Sequence, residues 1–225
     1  MSQNLLFAKY GFNLTESQLQ KFDKYYNYLV ECNEKFNLTA ITEQNEVYVK
    51  HFLDSLLGES LIKSGASVCD VGAGAGFPSV PLKILRDDVN ITMVDSLSKR
   101  VNFLKEVGAL VDITLNAYHD RAEDFAKKHR ESFDVAVARA VAPLNVLLEY
   151  LAPLVKVGGV VLAYKTDESE LDVSKNAIKT LGLTFVKAHY FNLEGANRCV
   201  LEFNKIKNTP TAYPRGQNKP RKNPL

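Results

Sequence analysis

The run Val68-Cys69-Asp70-Val71-Gly72-Ala73-Gly74-Ala75-Gly76-Phe77-Pro78 puts a carboxylate near the end of an apolar stretch and three alternate glycines just after it. Glycine lacks a Cβ and takes positive φ at little cost, so such a turn lets a ligand lie against bare backbone. A helix opening behind the turn adds free N–H groups and the positive end of its dipole. The acid is awkward for a pyrophosphate and suits a ligand that carries a cation. S-adenosylmethionine has an ammonium, a sulfonium and a carboxylate, so it can use both the acid and the amides. The dinucleotide pattern Gly-x-Gly-x-x-Gly is not met, because the third glycine comes one residue early and Phe77 stands in its place. A second acid about twenty residues on, at a strand end, would take ribose hydroxyls. Asp95 closes Asn90-Ile91-Thr92-Met93-Val94 and fits that place; its other possible role is to cap a helix from Ser96 onward.

Other charged residues stand where chemistry is possible. Arg139 follows an apolar run and presents a planar, permanently charged fork. It could hold a carboxylate or a guanine acceptor, or salt-bridge to Glu123. Lys165 ends a later apolar run. Lys99 and Arg100 follow Asp95 and read as phosphate contacts or as a solvated face. His51 and Asp54 lie one helical turn apart and read as a structural pair. His119, His129 and His189 share no ligand spacing, so no metal site is expected.

The elements that must position these residues follow from periodicity. Residues 1–65 read as a helical extension. Thr15-Glu16-Ser17-Gln18 is a capping box ahead of Leu19, Phe22, Tyr26, Leu29 and Val30 at helical spacing. A second helix is expected from Glu43 towards Ile62. From Ser67 strands and helices alternate, with strands at Ser67–Val71, Ile91–Val94, Ile113–Leu115, Phe133–Ala138 and Val160–Tyr164. Helices are expected near Pro78–Leu85, Lys99–Leu110, from Asp120 as N-cap, near Pro143–Val155 closed by Gly158-Gly159, and from Glu168 to Gly182. Thr184–Tyr190 and Cys199–Phe203 have no helix between them and read as a hairpin. Five β-α steps and a hairpin predict a doubly wound, mostly parallel seven-stranded α/β sheet with an antiparallel edge over 66–204. Ligands on such sheets bind at the C-terminal strand ends. The glycine turn, Asp95, Ala122-Glu123, Arg139 and Lys165 all fall there.

The chain has 225 residues, 46% of them hydrophobic and 24% charged, enough to bury one large core. No apolar run approaches the roughly 18 residues of a membrane span, and Met1–Phe12 lacks a basic-then-apolar signal pattern. Cys32, Cys69 and Cys199 are odd in number and without metal spacing. Inert thiols in a reducing, cytoplasmic compartment are expected. The net charge of +2 hides an asymmetry. Residues 205–225 carry six basic residues, no acid and four of the eight prolines, which leaves 22 basic residues against 26 acids in the body. That basic end is either a solvated tail or an arm for phosphates. The arm reading folds Tyr213–Leu225 back over the strand ends, with Arg215, Lys219, Arg221 and Lys222 on RNA and cofactor binding left to the glycine turn and Asp95.

Asp70-Val71-Gly72-Ala73-Gly74-Ala75-Gly76 resembles motif I of class I S-adenosylmethionine-dependent methyltransferases. Across the rest of the chain the resemblance narrows. Lys35-Phe36-Asn37-Leu38-Thr39-Ala40-Ile41, His51-Phe52-Leu53-Asp54-Ser55-Leu56, Gly76-Phe77-Pro78-Ser79-Val80-Pro81-Leu82, Val94-Asp95-Ser96-Leu97-Ser98-Lys99-Arg100, Ala138-Arg139-Ala140 and Tyr213-Pro214-Arg215 are similar to the RsmG family, also called glucose-inhibited division protein B. The resemblance implies the class I methyltransferase fold, S-adenosylmethionine as cofactor, and methylation of a guanine at N7 in small-subunit (16S) ribosomal RNA. It implies cofactor contacts at Gly72, Phe77, Ala122, Glu123 and Arg139, beside Asp70, Gly74, Gly76 and Asp95 from the motif itself. Gly216 and Asn218 depart from the family's usual lysine and glycine, and Thr166 from its usual glycine. Asn218 can still take positive φ.

Guanine N7 has an in-plane lone pair and needs no general base, so catalysis reduces to alignment and electrostatics. Arg139 and Lys165 are the candidates for that role. No Asn/Asp-Pro-Pro-aromatic run follows strand four, which speaks against amino-group methylation. No cysteine lies at the ends of strands four or five, which speaks against carbon-5 methylation of cytosine. The expected partner is small-subunit ribosomal RNA or the 30S subunit, with the chain a monomer and away from membranes. The rival readings are a small-molecule or protein methyltransferase and a cofactor-binding ribosome-assembly module without turnover.

Overall fold

Seven strands run through the chain: β1 Ser67–Val71, β2 Asn90–Asp95, β3 Asn116–His119, β4 Phe133–Arg139, β5 Val155–Lys165, β6 Leu183–Leu193 and β7 Ala196–Lys205. They form one sheet in the order β3-β2-β1-β4-β5-β7-β6. The first five are parallel, and β7 lies antiparallel between β5 and β6. The structure is a computed structural model and describes residues 3–225. The chain reverses direction across the sheet between β1 and β4, the place where an open α/β sheet leaves a crevice.

Alternation along each strand divides the core into two layers. Val68, Val135, Val137, Leu162 and Val200 face one side; Cys69, Val71, Ala136, Ala138, Val161, Ala163 and Leu201 face the other. The first side is covered by the N-terminal helices α1 (Gln3–Lys9) and α2 (Glu16–Lys35), and by α5 (Ser79–Leu85) and α6 (Ser98–Leu110). The second is covered by α7 (Ala122–Lys128), α8 (Leu144–Leu151) and α9 (Lys175–Thr180). The expected capping box opens α2: Gln18 N–H donates to Thr15 Oγ1 at 3.2 Å, and Thr15 N–H donates to Gln18 Oε1 at 2.9 Å.

The second N-terminal helix is shorter than its periodicity predicts, and it is wound unevenly. One turn of α-helix, α3 (Gln44–Val47), passes into a π-helical stretch over Tyr48–Leu53 and back to α-helix in α4 (Asp54–Leu56). Such wide turns are rare and concentrate at functional sites. Here the wide turn carries His51, with Asp54 immediately after it.

Four boundaries differ from the sequence expectation. The third strand is Asn116–His119, not Ile113–Leu115. It is an edge strand with Tyr118 half exposed, so its residues are polar, and the apolar Ile113 and Leu115 pack against the core from the connection. Arg121, not Asp120, is the N-cap of α7. Gly158-Gly159 do not close α8; they lie inside β5 at a register irregularity against β4. A Cβ on Gly159 would stand 2.5 Å from the Asp134 carbonyl oxygen, so glycine is needed there for backbone contact. The helix expected over 168–182 is confined to Lys175–Thr180 after a short 3-10 turn.

The basic C-terminal segment is docked on the body. Arg130 Nη2 donates to Thr209 O at 2.6 Å and Nη1 to Tyr213 O at 2.5 Å. A last helical turn, α10 (Lys219–Lys222), follows Asn218 at φ 60°, the left-handed conformation expected of that residue.

Candidate active site

At the end of β1 the Asp70 side chain is fully buried, and neither carboxyl oxygen has a hydrogen-bond partner. Burial raises its pKa to about 7, against an opposing pull from the neighbouring Ser79 and Arg139. A buried acid without a partner is costly unless something pairs with it. A cation reaching into the turn would do so. Gly72 (φ 74°) and Gly74 (φ 58°) take conformations that favour glycine. A Cβ on Gly72 would lie 2.7 Å from Val141 Cγ2, whereas one on Gly74 would make only an ordinary 3.8 Å contact with Gly72 O. Asp95, also buried, ties this turn to the end of β2: it accepts from Gly74 N–H and from Leu97 N–H, each at 2.9 Å.

Of these residues Gly72 and Asp95 open onto a cavity of about 260 Å³, whereas Asp70 and Gly74 are not part of its lining. Gly72, Asp95, Ala122, Glu123 and Tyr150 line it, with Asn218 and Arg221 from the C-terminal segment. Glu123 is buried at the start of α7, where the helix dipole favours an acid. The unpaired acid, the glycine cradle and the second acid fit S-adenosylmethionine. Neither Gly76 nor Phe77 lines this cavity. A Cβ on Gly76 would meet Val80, Tyr25 and Leu104 within 3.0 Å, so that glycine serves packing.

Arg139 ends β4 and faces a second cavity of about 400 Å³, lined by Lys50, His51, Asp54, Tyr164, Lys165, Thr166 and Arg198 among others. Its partner is not Glu123. Nη1 donates to Asp54 Oδ2 at 2.6 Å and to Lys50 O at 3.1 Å. Its guanidinium carbon lies 4.8 Å from the centre of the Phe77 ring, whose centre is 4.5 Å from that of His51. Arg198 Nε reaches the other oxygen, Asp54 Oδ1, at 3.2 Å. Two guanidiniums thus share one carboxylate, and a net positive charge is left at the cavity wall.

Burial, then the charge of Arg139, lowers the His51 pKa to about 4, so the ring is neutral near pH 7. Arg139 Nη2, 3.2 Å from Nδ1, can only donate. Nδ1 also lies 3.1 Å from Lys50 O, which can only accept, and Nε2 lies 2.7 Å from Thr39 Oγ1, so both ring nitrogens are engaged. Lys165 is likewise engaged, donating to Glu170 Oε1 at 2.8 Å and to Ala142 O at 3.0 Å. The structure therefore gives Lys165 a positioning place in the wall rather than a free ammonium.

Ala140 lines both cavities and has φ 57°. The two cavities thus adjoin at Ala140. Sequence reasoning missed Arg198. It sits beside Lys165 because β7 runs antiparallel to β5 with Cys199 opposite Lys165, and that register cannot be read from composition. Tyr150 was missed too; it lies on a helix whose other residues are core.

The basic residues expected on RNA are divided by the structure. Lys99, Lys219 and Lys222 are exposed. Arg100 leans on Asp95, Nη1 to Oδ2 at 3.5 Å. Arg215 is not free for phosphate: Nη2 donates to Glu149 Oε2 at 2.6 Å and Nε to Oε1 at 2.9 Å, against a fully buried carboxylate. Among the described residues no group of three or more His, Cys, Asp or Glu could hold a metal ion, and no helix is long and apolar enough to cross a membrane.

Known proteins are similar to this chain in sequence or in fold. A protein from Macrococcus caseolyticus called ribosomal RNA small subunit methyltransferase G is 49% identical over 96% of this chain and 94% of its own length. A protein of the same name from Bacillus subtilis is 45% identical over 97% and 95%. The solved structure of M. jannaschii TYW2 in complex with AdoMet superposes with a TM-score of 0.56 at 14% identity, covering 68% of this chain and 75% of that one; it shows the fold. The sequence model described as rRNA small subunit methyltransferase G matches residues 18–200, and with the unpaired acid, the glycine cradle and the strand order already in place, the chain belongs to that family.

Proposed function

We propose that this chain transfers the methyl group of S-adenosylmethionine to N7 of a guanine in small-subunit ribosomal RNA. The observation that carries this reading is the pair of cavities that adjoin at Ala140. One suits the cofactor. Gly72 and Gly74 would hold it by backbone, Asp70 would face its ammonium, and Asp95, Ala122 and Glu123 would take the adenosine. The cofactor supplies an electrophilic methyl on a sulfonium.

The other cavity suits the base. Its groups that could accept a proton are all engaged: Asp54 by two guanidiniums, and His51 neutral with both nitrogens bonded. That is a poor site for a nucleophile that must be deprotonated and a sufficient one for guanine N7. The N7 lone pair takes the methyl as the carbon–sulfur bond breaks, and the positive charge passes to the base. Arg139 then acts by holding O6 or a neighbouring acceptor in plane, with Arg198 beside it, and Lys165 and Phe77 keep that arrangement rigid. Lys99, Lys219 and Lys222 are the proposed phosphate contacts. The chain acts as a monomer in the cytoplasm, on RNA either free or within the 30S subunit.

The test is transfer of labelled methyl to small-subunit RNA, followed by digestion and nucleoside analysis. Label in 7-methylguanosine supports the reading. Label in another nucleoside, in protein or in a small molecule rejects it, and so does binding of the cofactor without transfer to either RNA form.

A further inference from the structure

The C-terminal segment forms one wall of the cofactor cavity. Asn218 and Arg221 line it together with Gly72, Asp95, Ala122, Glu123 and Tyr150. Arg221 Nη2 donates to the carbonyl of Val141 at 2.9 Å. Val141 is the residue whose side chain would meet a Cβ on Gly72, so this arginine is fastened to the backbone that borders the glycine turn. The segment is held there by several anchors. The Arg215–Glu149 pair is one, with Glu149 fully buried and also accepting from Arg215 N–H at 2.8 Å. Pro220 is buried, and Asn145 Nδ2 donates to Leu225 O at 3.3 Å.

Arg221 differs from Arg100 along this wall. Arg100 is drawn to Asp95, whereas Arg221 has no carboxylate within ion-pair distance among the described residues, and its partners are neutral: the Val141 carbonyl and the Tyr150 hydroxyl. Its guanidinium is planar and weakly hydrated, and such a group stacks on the face of an aromatic ring or purine. A solvated phosphate-binding arginine needs no fixed seat beside the glycine turn. This one has such a seat.

We infer that Arg221 is a cofactor contact, lying against the adenosine part of S-adenosylmethionine, and that the docked C-terminal segment closes the cofactor cavity rather than serving only as an arm for RNA. The inference rests on the assignment of the first cavity to S-adenosylmethionine. It reverses the expectation that the C-terminal segment is not needed for cofactor binding.

The test is calorimetric binding of S-adenosylmethionine and of S-adenosylhomocysteine to the full chain and to two variants of equal charge change, Arg221→Ala and Lys222→Ala. Both side chains are exposed, and thermal melts confirm that each variant folds. Arg221→Ala is expected to weaken both ligands about 10-fold, the order of a partly desolvated cation–π contact. Lys222→Ala should leave both within about twofold, since Lys222 does not line the cavity. Arg221→Lys should not restore affinity, because a point charge does not replace a planar fork. Unchanged affinity in Arg221→Ala overturns the inference, and so does an equal loss in Lys222→Ala, which would mean that only net charge matters. If the wild-type chain itself binds neither ligand, the assignment of the cavity fails instead.

Discussion

Arg139 and Asp54 are joined by a 2.6 Å ion pair although 85 residues separate them. This contact ties the end of β4 to the N-terminal helical layer, and it makes that layer part of the site. Arg139→Lys should keep most of the fold, because a cation remains beside Asp54. It should still cut methyl transfer by about 10²-fold, the scale on which one preorganised donor is lost, because lysine cannot donate to Asp54 and Lys50 O in one plane while covering the Phe77 ring. Arg139→Ala should also lower the melting temperature, since Asp54 would keep only Arg198. Steady-state rates with thermal melts separate the two effects, and full activity in the lysine variant would show that charge alone suffices.

Asp70 gives a dependence on pH. Its folded pKa is raised to about 7 from an ordinary 3.8. Without ligand the native state therefore holds a proton that the unfolded chain has lost, and stability falls as pH rises from about 4 to about 7. A bound ammonium reverses the balance by favouring the carboxylate. Cofactor affinity should rise with pH up to about 7 and decline above about 8, where the cofactor's own amino group loses its proton. Asp70→Asn should remove the acid limb of that profile and stabilise the ligand-free protein at pH 8. Calorimetry from pH 5 to pH 9 on both proteins checks this, and an acid limb retained in the asparagine variant would exclude Asp70 as its source.

The glycines of the turn should differ. Gly72→Val strains a positive φ and drives a side chain into Val141, so it should unfold the turn and lower stability together with binding. Gly74→Ala meets no clash, its Cβ lying 3.8 Å from Gly72 O, and should cost only about 1–2 kcal/mol of stability for its left-handed backbone, while placing a methyl over the cradle. The expected result is a folded protein with weakened cofactor binding, read by melting and calorimetry. Wild-type affinity in Gly74→Ala would mean that the ligand does not approach that backbone.

Arg215 should act on stability. Removing it leaves the Glu149 carboxylate buried without its cation, a change that costs about 3–5 kcal/mol. In a chain of this size each kcal/mol moves the midpoint by roughly 2–4 °C. Arg215→Ala should therefore melt well below wild type even without RNA. An unchanged midpoint would return Arg215 to the RNA contacts expected from its charge.

The layout of the fold was legible because its signals are local. Period-two apolar runs gave the buried strands, the capping box gave α2, and the acid–glycine turn gave the end of β1. What was hidden depends on long-range geometry. The polar edge strand β3 lacks an apolar signature, so Ile113 and Leu115 were mistaken for it. Gly158-Gly159 look like a helix stop, but they serve close backbone contact in β5. His51 and Asp54 were legible as a pair on one helix. That they would face Arg139 required the π-helical turn, and that Arg198 would join them required the register of β7. The basic tail was legible as charge, while its burial of Arg215 against Glu149 was not, because Glu149 sits on an otherwise apolar helix.

In the proposed reaction donor and acceptor occupy separate cavities that meet at Ala140. Thr166 lines only the second cavity and is exposed, so Thr166→Trp fills that cavity without touching the first. Methyl transfer to small-subunit RNA by this variant, measured beside its affinity for S-adenosylmethionine, is the most direct test. The account predicts unchanged cofactor affinity with transfer reduced at least about 10²-fold, the scale of a misplaced reactant. Transfer at the wild-type rate with the indole in place would contradict it, because the base would then be reaching the methyl by another route.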